Sequence, residues 1–204
     1  MHALIVVSHP VSDSLTHTIA RKIAGGIAQS ASGHSAEIAD LAAEGFDPRF
    51  TAADTSAFNK QAPLPQDVIT EQTRLDRADA LVLVYPIYWW SMPGQLKGWI
   101  DRVFANGWAY DDKGEGKVVK KLQHLKVHLV AIGGADMRTF ARHGYFGAMK
   151  TQIDHGIFNY CGAPVVTSEL FFSAQPMDIP IHLAKARALG GNIFASANRE
   201  QACA

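Results

Sequence analysis

The sequence predicts an α/β fold built on a doubly wound, five-stranded parallel sheet with helices on both faces. Three observations carry that prediction. Residues 3–7, 80–85 and 127–132 are short apolar runs rich in Val, Leu and Ile. They lack the polar alternation of a half-exposed strand, so both of their faces should be covered. Helix-spaced apolar segments separate them, and strand and helix alternate about five times along the chain, the order from which crossover connections build a parallel sheet.

Each element follows from its local pattern. Residues 3–7 (Ala-Leu-Ile-Val-Val) form the first strand, and a polar stretch covers 8–14. Leu15, Ile19, Ile23 and Ile27 then recur every fourth residue, which places them on one side of a helix. A shorter strand is expected at 35–40. Residues 44–65, with prolines, polar residues and scattered aromatics, read as a long irregular connection, a length that usually signals function. A helix is expected at 66–77 and the clearest strand at 80–85. After Pro93, residues Leu96, Trp99, Ile100, Val103 and Phe104 trace the apolar stripe of a helix. A strand at 127–132 ends in Gly133-Gly134. A helix over 146–160, a strand over 165–172 and a last helix over 179–195 complete the chain, and 197–204 read as a frayed tail.

The 204 residues suit one domain, 1–204, with one sizeable core. Lys plus Arg and Asp plus Glu both number 19, so no net charge attracts nucleic acid or an anionic membrane. Cys161 and Cys203 have neither CxxC nor Cys/His spacing, which argues against a disulfide framework and a metal site. Cys161, in an apolar stretch, reads as packing. With no basic leader and no long apolar run, the expected location is the cytoplasm.

Ligands of open α/β sheets bind beyond the carboxyl ends of the strands. Three loops qualify. Ser8-His-Pro-Val-Ser-Asp-Ser-Leu-Thr16 is hydroxyl-rich and enters a helix, which suits either a phosphate held by free N–H groups or plain capping by Asp13 or Ser14. Neither GxGxxG after a strand nor GxxxxGK[ST] occurs, so the usual nucleotide fingerprints are missing. Pro86-Ile-Tyr-Trp-Trp-Ser-Met-Pro93 sets three aromatics in a row between two prolines. That suits an apolar wall for a flat ring such as isoalloxazine, with a core anchor or dimer surface as the plainer alternative. Gly133-Gly134 lets backbone N–H groups approach a ligand, or is merely a turn.

The segment from Pro86 through Gly94-Gln-Leu-Lys-Gly-Trp-Ile-Asp-Arg-Val-Phe104 resembles the flavin-binding segment of NAD(P)H:quinone oxidoreductases of the DT-diaphorase type. The likeness extends in order from His9-Pro10 through Glu71-Gln72, Ala78-Asp79 and Gly133-Gly134 to Tyr160-Cys161-Gly162. It implies a flavodoxin-like fold, a homodimer with active sites at the interface, and ping-pong hydride transfer from NAD(P)H through flavin N5 to a quinone. Carried over by position, His9, Ser14, Leu15 and Thr16 contact the ribityl-phosphate part. Pro86, Ile87, Tyr88, Trp89 and Trp90, with Ile132, Gly133 and Gly134, hold the ring. Trp90, Trp108 and Tyr110 line the nicotinamide and quinone pocket, Tyr110 reaching in from the partner subunit.

This chain departs from the mammalian members in the third loop, where their tyrosine and histidine positions fall on Thr139 and Tyr145. A phenol keeps its proton at neutral pH. Tyr145 therefore reads as a hydrogen-bond donor to reduced flavin beside the Gly134 backbone, with His143 two residues away as the compensating proton carrier and Thr139 as scaffold. Phe46-Asp-Pro48 in the long connection resembles the FAD-binding members, which favours FAD. Smaller bacterial relatives use FMN, some as ancillary subunits of glutathione-gated potassium efflux channels, and the Asn106-Gly-Trp-Ala-Tyr110 run resembles those as much. A regulatory partner of a transporter and a one-electron flavodoxin-like carrier are therefore the alternatives. Arg138 and Arg142 could meet a 2′-phosphate of NADPH.

Overall fold

In a computed structural model, the fold is described for residues 1–30, 33–114, 116–172 and 176–195. The expected tail at 197–204 and Cys203 lie outside the described residues. The five predicted strands form one parallel sheet: β1 (His2–Val7), β2 (Ser35–Asp40), β3 (Ala80–Pro86), the later β6 (Lys126–Gly133) and β7 (Val165–Phe172), in the order β2-β1-β3-β6-β7. Registers such as Ile5↔Ile38, Ile5↔Val82 and Val84↔Val130 stack β-branched residues across the sheet. The order reverses between β1 and β3, so the loops leaving their carboxyl ends part there and open a crevice.

Because side chains alternate along a strand, each central strand feeds two cores. On one face Ala3, Ile5, Val7, Val82, Val84, Val130 and Ile132 meet Ile19, Ile23 and Ile27 of α1 (Leu15–Gln29) and Ala186 of the last helix, α7 (Ile179–Asn192). The fourfold spacing read from the sequence is the buried stripe of α1, and α7 ends three residues before the expected limit. On the other face Leu4, Val6, Leu81, Leu83, Tyr85, Leu129 and Ala131 pack against Leu75 of α3 (Gln66–Asp76) and Leu96, Trp99, Ile100 and Val103 of α4 (Gly94–Val103).

Four local features differ from the sequence expectation. The connection at 44–65 is not wholly irregular: Thr51 caps α2 (Ala52–Phe58) and exchanges bonds with Asp54, a reciprocal box that satisfies the first free N–H groups. The stretch after Gly134 holds α5 (Met137–His143), capped by the Asp136 carboxylate. A hairpin of β4 (Tyr110–Asp112) and β5 (Val118–Lys120) was not foreseen, its strands being three residues each. The helix expected over 146–160 is α6 (Tyr145–Met149) followed by a π-helix, Lys150–Asn159. The reason is visible in the burial: Ile153 and Phe158, five residues apart, are both inside, which a wider turn than 3.6 residues brings into line. Cys161 is buried as expected, and burial pushes its thiol up to about 11. No helix among the described residues is long and apolar enough to cross a membrane.

Candidate active site

The loop after β3 carries the most unusual backbone in the molecule. Tyr88 and Ser91 exchange both backbone hydrogen bonds at 3.1 Å and close a two-residue turn on Trp89 and Trp90. Both tryptophans have positive φ, 48° and 63°. Such turns normally take Asn-Gly, because a Cβ in the left-handed region crowds the next carbonyl. Strain of this kind persists where the surroundings fix it, and it gathers at functional sites.

The side chains explain the placement. Trp89 is 92% exposed, so it is not a core anchor. Trp90 stacks on Tyr145 with ring centroids 3.9 Å apart and planes 11° from parallel, and sets its edge against Phe140 at 5.3 Å. His143 lies over Tyr145 in turn, 5.4 Å away. Ile87 anchors the near end of the loop by donating its N–H to Ile132 O at 2.8 Å. The aromatic loop and the β6 loop thus face each other across a cavity of about 180 Å³ lined by Ile87, Trp89, Trp90, Gly133, Gly134, Ala135 and Phe140.

Gly134 is exposed, lacks a positive φ, and a Cβ built on it meets nothing within 4 Å. Nothing in the chain therefore demands glycine there, whereas a flat ring lying on the backbone would. The aromatic wall, the open glycine floor and the cavity between them fit a flavin ring. Thr139 is occupied locally: its N–H and hydroxyl both donate to Asp136 Oδ1, at 2.9 and 2.8 Å. Those bonds hold the Asp136 carboxyl below its usual range. Arg138 and Arg142 lie exposed on α5.

In the first loop, capping is realised: the Ser14 hydroxyl accepts from His17 N at the start of α1. His17 extends the arrangement, its Nδ1 2.9 Å from Ser14 Oγ and its Nε2 2.8 Å from Asp40 Oδ2 at the end of β2. Burial opposes ionisation of Asp40, but bonds from His17 and from the Ala42 and Ala43 amides outweigh it and lower its pKa. His9 accepts from Val11 N at 3.0 Å and shapes the turn. Leu15 and Thr16 sit in the first helical turn, Thr16 buried.

Two predicted pocket residues lie elsewhere in the single chain. Trp108 donates its indole N–H to Asp76 at 3.0 Å and packs edge-on against Phe104. Tyr110 packs against Tyr160 and lines a different cavity of about 350 Å³, with Phe50, Phe58, Leu64, Arg102 and Phe104. Sequence reasoning missed Phe140, whose four aromatic contacts come from the Trp90 loop, α6 and β7, and the Ser14–His17–Asp40 chain. A usable signal for the latter was His17 three residues after a capping serine.

A family model described as a flavodoxin-like fold matches residues 1–189. The chain belongs to that family. Among flavodoxin-like proteins it is similar to ribosyldihydronicotinamide dehydrogenase (quinone) of Pongo abelii, 32% identical over 166 residues, 72% of this chain and 71% of the relative. It is 29% identical over 194 residues to NAD(P)H dehydrogenase (quinone) 1 of Cavia porcellus, 83% of this chain and 68% of that one. An NAD(P)H:quinone oxidoreductase from Methanothermobacter marburgensis superposes with a TM-score of 0.86 at 28% identity, covering 95% of this chain and 98% of the other. The resemblance to quinone reductases read from the aromatic segment is borne out by these relatives.

Proposed function

We propose that this flavodoxin-like chain is a flavin-dependent NAD(P)H:quinone oxidoreductase that works by a ping-pong, two-electron route. The observation that carries the reading is the pairing of the strained Trp89–Trp90 wall, Trp89 exposed and Trp90 half-buried, with the open backbone of Gly134 across one cavity. Bound flavin would supply the hydride relay between nicotinamide and quinone. The chain's residues do the rest. Trp89, Trp90, Ile87 and Tyr88 present apolar surface to a ring face, and Pro86 and Ile132 close the strand ends below it. The Gly133-Gly134 backbone and the Tyr145 hydroxyl are the donors available to developing negative charge, which fixed dipoles stabilise best when water is excluded. His143, stacked on Tyr145, is the candidate proton carrier. The α1 N-terminus, with Ser14, Leu15 and Thr16, offers N–H groups to a phosphate, and His9 holds the turn that leads into it.

A cavity of about 180 Å³ falls short of the ~300 Å³ at which small-ligand sites begin. The homodimer reading would supply the missing wall, a second copy covering the open side and bringing Tyr110 and Trp108 to the ring. FAD is favoured over FMN because Phe46-Asp47-Pro48 is tied down rather than loose: Arg102 donates to Asp47 O at 2.8 Å and lies over the Phe46 ring at 5.3 Å. That provides a fixed surface for an adenosine half.

The test is incubation with equal FAD and FMN, desalting, and identification of the retained flavin, followed by steady-state kinetics. FAD retention with parallel double-reciprocal plots is expected. Retention of neither flavin would remove the basis of the proposal. Tyr145→Phe is expected to slow turnover several-fold, roughly the worth of one neutral hydrogen bond. Unchanged turnover would leave the donor role to the glycine backbone alone.

A further inference from the structure

The Trp89–Trp90 turn needs something to hold it, and its own hairpin is too short to do so. Two bulky residues in the left-handed region are each strained, because the Cβ crowds the following carbonyl. The ladder is a single pair, Tyr88 with Ser91, and it cannot grow, because Pro86 and Pro93 lack N–H donors. The near end is tied to the sheet through Ile87 N and Ile132 O. At the far end the Ser91 hydroxyl donates to Gln152 Oε1 at 2.7 Å, across 61 residues of chain. The bond forms with either end of the amide facing the hydroxyl, since a hydroxyl both donates and accepts.

Gln152 reaches the loop because of the π-helix that carries it. Ile153 is buried in the core, and the next residue, Asp154, is bonded to Ser168 of β7. The helix is therefore pinned to the sheet on its inner side, and the wide turn hands the preceding residue, exposed Gln152, to Ser91. Stacking on Tyr145 and Phe140 fixes the Trp90 side chain. On the return side of the turn, beside the buried Met92, the Ser91–Gln152 bond is the directional side-chain tie seen among the described residues.

We propose that Ser91 and Gln152 are a positioning pair that locks the Trp89–Trp90 turn in its left-handed conformation and so presets the wall against which the flavin ring binds. The assignment rests on the reading of that loop as the ring wall, but the lock itself does not. Neither side chain need touch the ring, so both act through Trp89 and Trp90.

The experiment compares Ser91→Ala, Gln152→Ala, the double variant and Gln152→Glu, which keeps an acceptor for the hydroxyl. Near-ultraviolet circular dichroism of the flavin-free protein reports the fixed tryptophans. Titration with FAD and FMN reports the wall. Both single variants are expected to lose part of the tryptophan signal and to weaken flavin binding roughly three- to tenfold, the span of one neutral hydrogen bond. The double variant should lose no more than either single one, because the pair acts as a unit. Gln152→Glu should restore the signal, and melting temperatures should stay close to the parent's. Additive losses, or single variants with the parent's spectrum, would overturn the lock. A parent that binds no flavin would overturn the ring-wall reading instead, and the flavin-free spectra would still decide the lock.

Discussion

The two faces of the sheet solve the same packing problem in opposite ways. The face under α1 and α7 is mostly apolar, with buried polar side chains such as His17 and His128 the exceptions. Its helices meet backbone to backbone at Gly26 and Gly190, where a Cβ on Gly190 would stand 2.1 Å from Ile23 O. The face under α3 and α4 carries buried charge. Arg102, 5% exposed, bonds Asp54 at 3.0 Å and Asp67 at 2.5 and 3.1 Å. Arg74 spans Glu37, Glu44 and Glu71, and Glu71 also accepts from the Trp99 indole at 2.8 Å. Apolar packing is enough to set one helix pair on a sheet. Placing a long connection such as 44–65 beside the crevice takes directional bonds, because that connection has little apolar surface of its own to bury. The candidate site lies beyond the carboxyl ends of the strands and draws on both faces: Ile87 and Met92 pack on the polar one, Leu15 and Ile132 on the other.

Breaking each face at its tightest point should therefore give different failures. Arg102→Met strands the Asp54 carboxylate, and removing one partner of a buried ion pair costs about 3–5 kcal/mol. This is the largest effect expected. Urea denaturation should register it, and limited proteolysis should cut within 44–65 before the sheet opens. Gly190→Ala drives a methyl into the α1 backbone and should cost roughly 3 kcal/mol through overpacking. It should melt earlier by about 6–12 °C for a chain of this size while leaving 44–65 protected. Identical proteolytic patterns from the two variants would dissolve the distinction between the faces.

The same contrast decides what could be read from the sequence. The apolar face was legible because apolar periodicity is local: the fourfold Ile19, Ile23, Ile27 spacing and the apolar strand runs need no tertiary information. The three loops at the strand ends stood out as candidates because odd composition, three aromatics or two glycines, is also local. The π-helix was hidden, since a stripe at fivefold spacing differs from a fourfold one by a single residue, and only the packing of Ile153 and Phe158 selects it. The Arg102 and Ser91–Gln152 contacts join residues tens of positions apart, and no local pattern encodes them. Trp108 and Tyr110 were assigned by resemblance, and in the single chain neither lines the cavity between Trp90 and Gly134.

Each face also holds one ionisable group that fits poorly, and these sharpen the comparison through pH. On the apolar face His128 is buried, with Nδ1 3.1 Å from Thr167 Oγ1 and no partner for Nε2 among the described residues. Burial, then the Lys126 charge, pushes its pKa down to about 4. The unfolded chain takes up a proton near pH 6.5, so the stability tied to neutral His128 is complete above that value and is lost as pH falls toward 4. The parent should lose about 2 kcal/mol between pH 7 and pH 5. His128→Leu should flatten that slope in thermal melts. A slope unchanged by the substitution would move the acid sensitivity elsewhere.

On the polar face Asp154 has the opposite sign and the smallest effect. Burial raises its pKa, against the lowering pull of Lys150 and of the bond to Ser168. It lines a cavity of about 210 Å³ with Tyr85, whose own phenol is pushed up by burial and by the Asp154 charge. A carboxyl whose folded pKa lies above the unfolded one supports the fold while protonated, and that support fades as pH rises through the folded value. Once ionised, the carboxylate is therefore a net cost. Asp154→Asn keeps a partner for Ser168 and removes the charge, so its melting temperature should exceed the parent's slightly at pH 7 and match it below about pH 4, where the parent's carboxyl is protonated as well. A variant less stable at pH 7 would mean that the charge itself, acting on Lys150, holds the π-helix against the sheet, and Gln152 would then owe its reach to that ion pair as well as to the packing of Ile153.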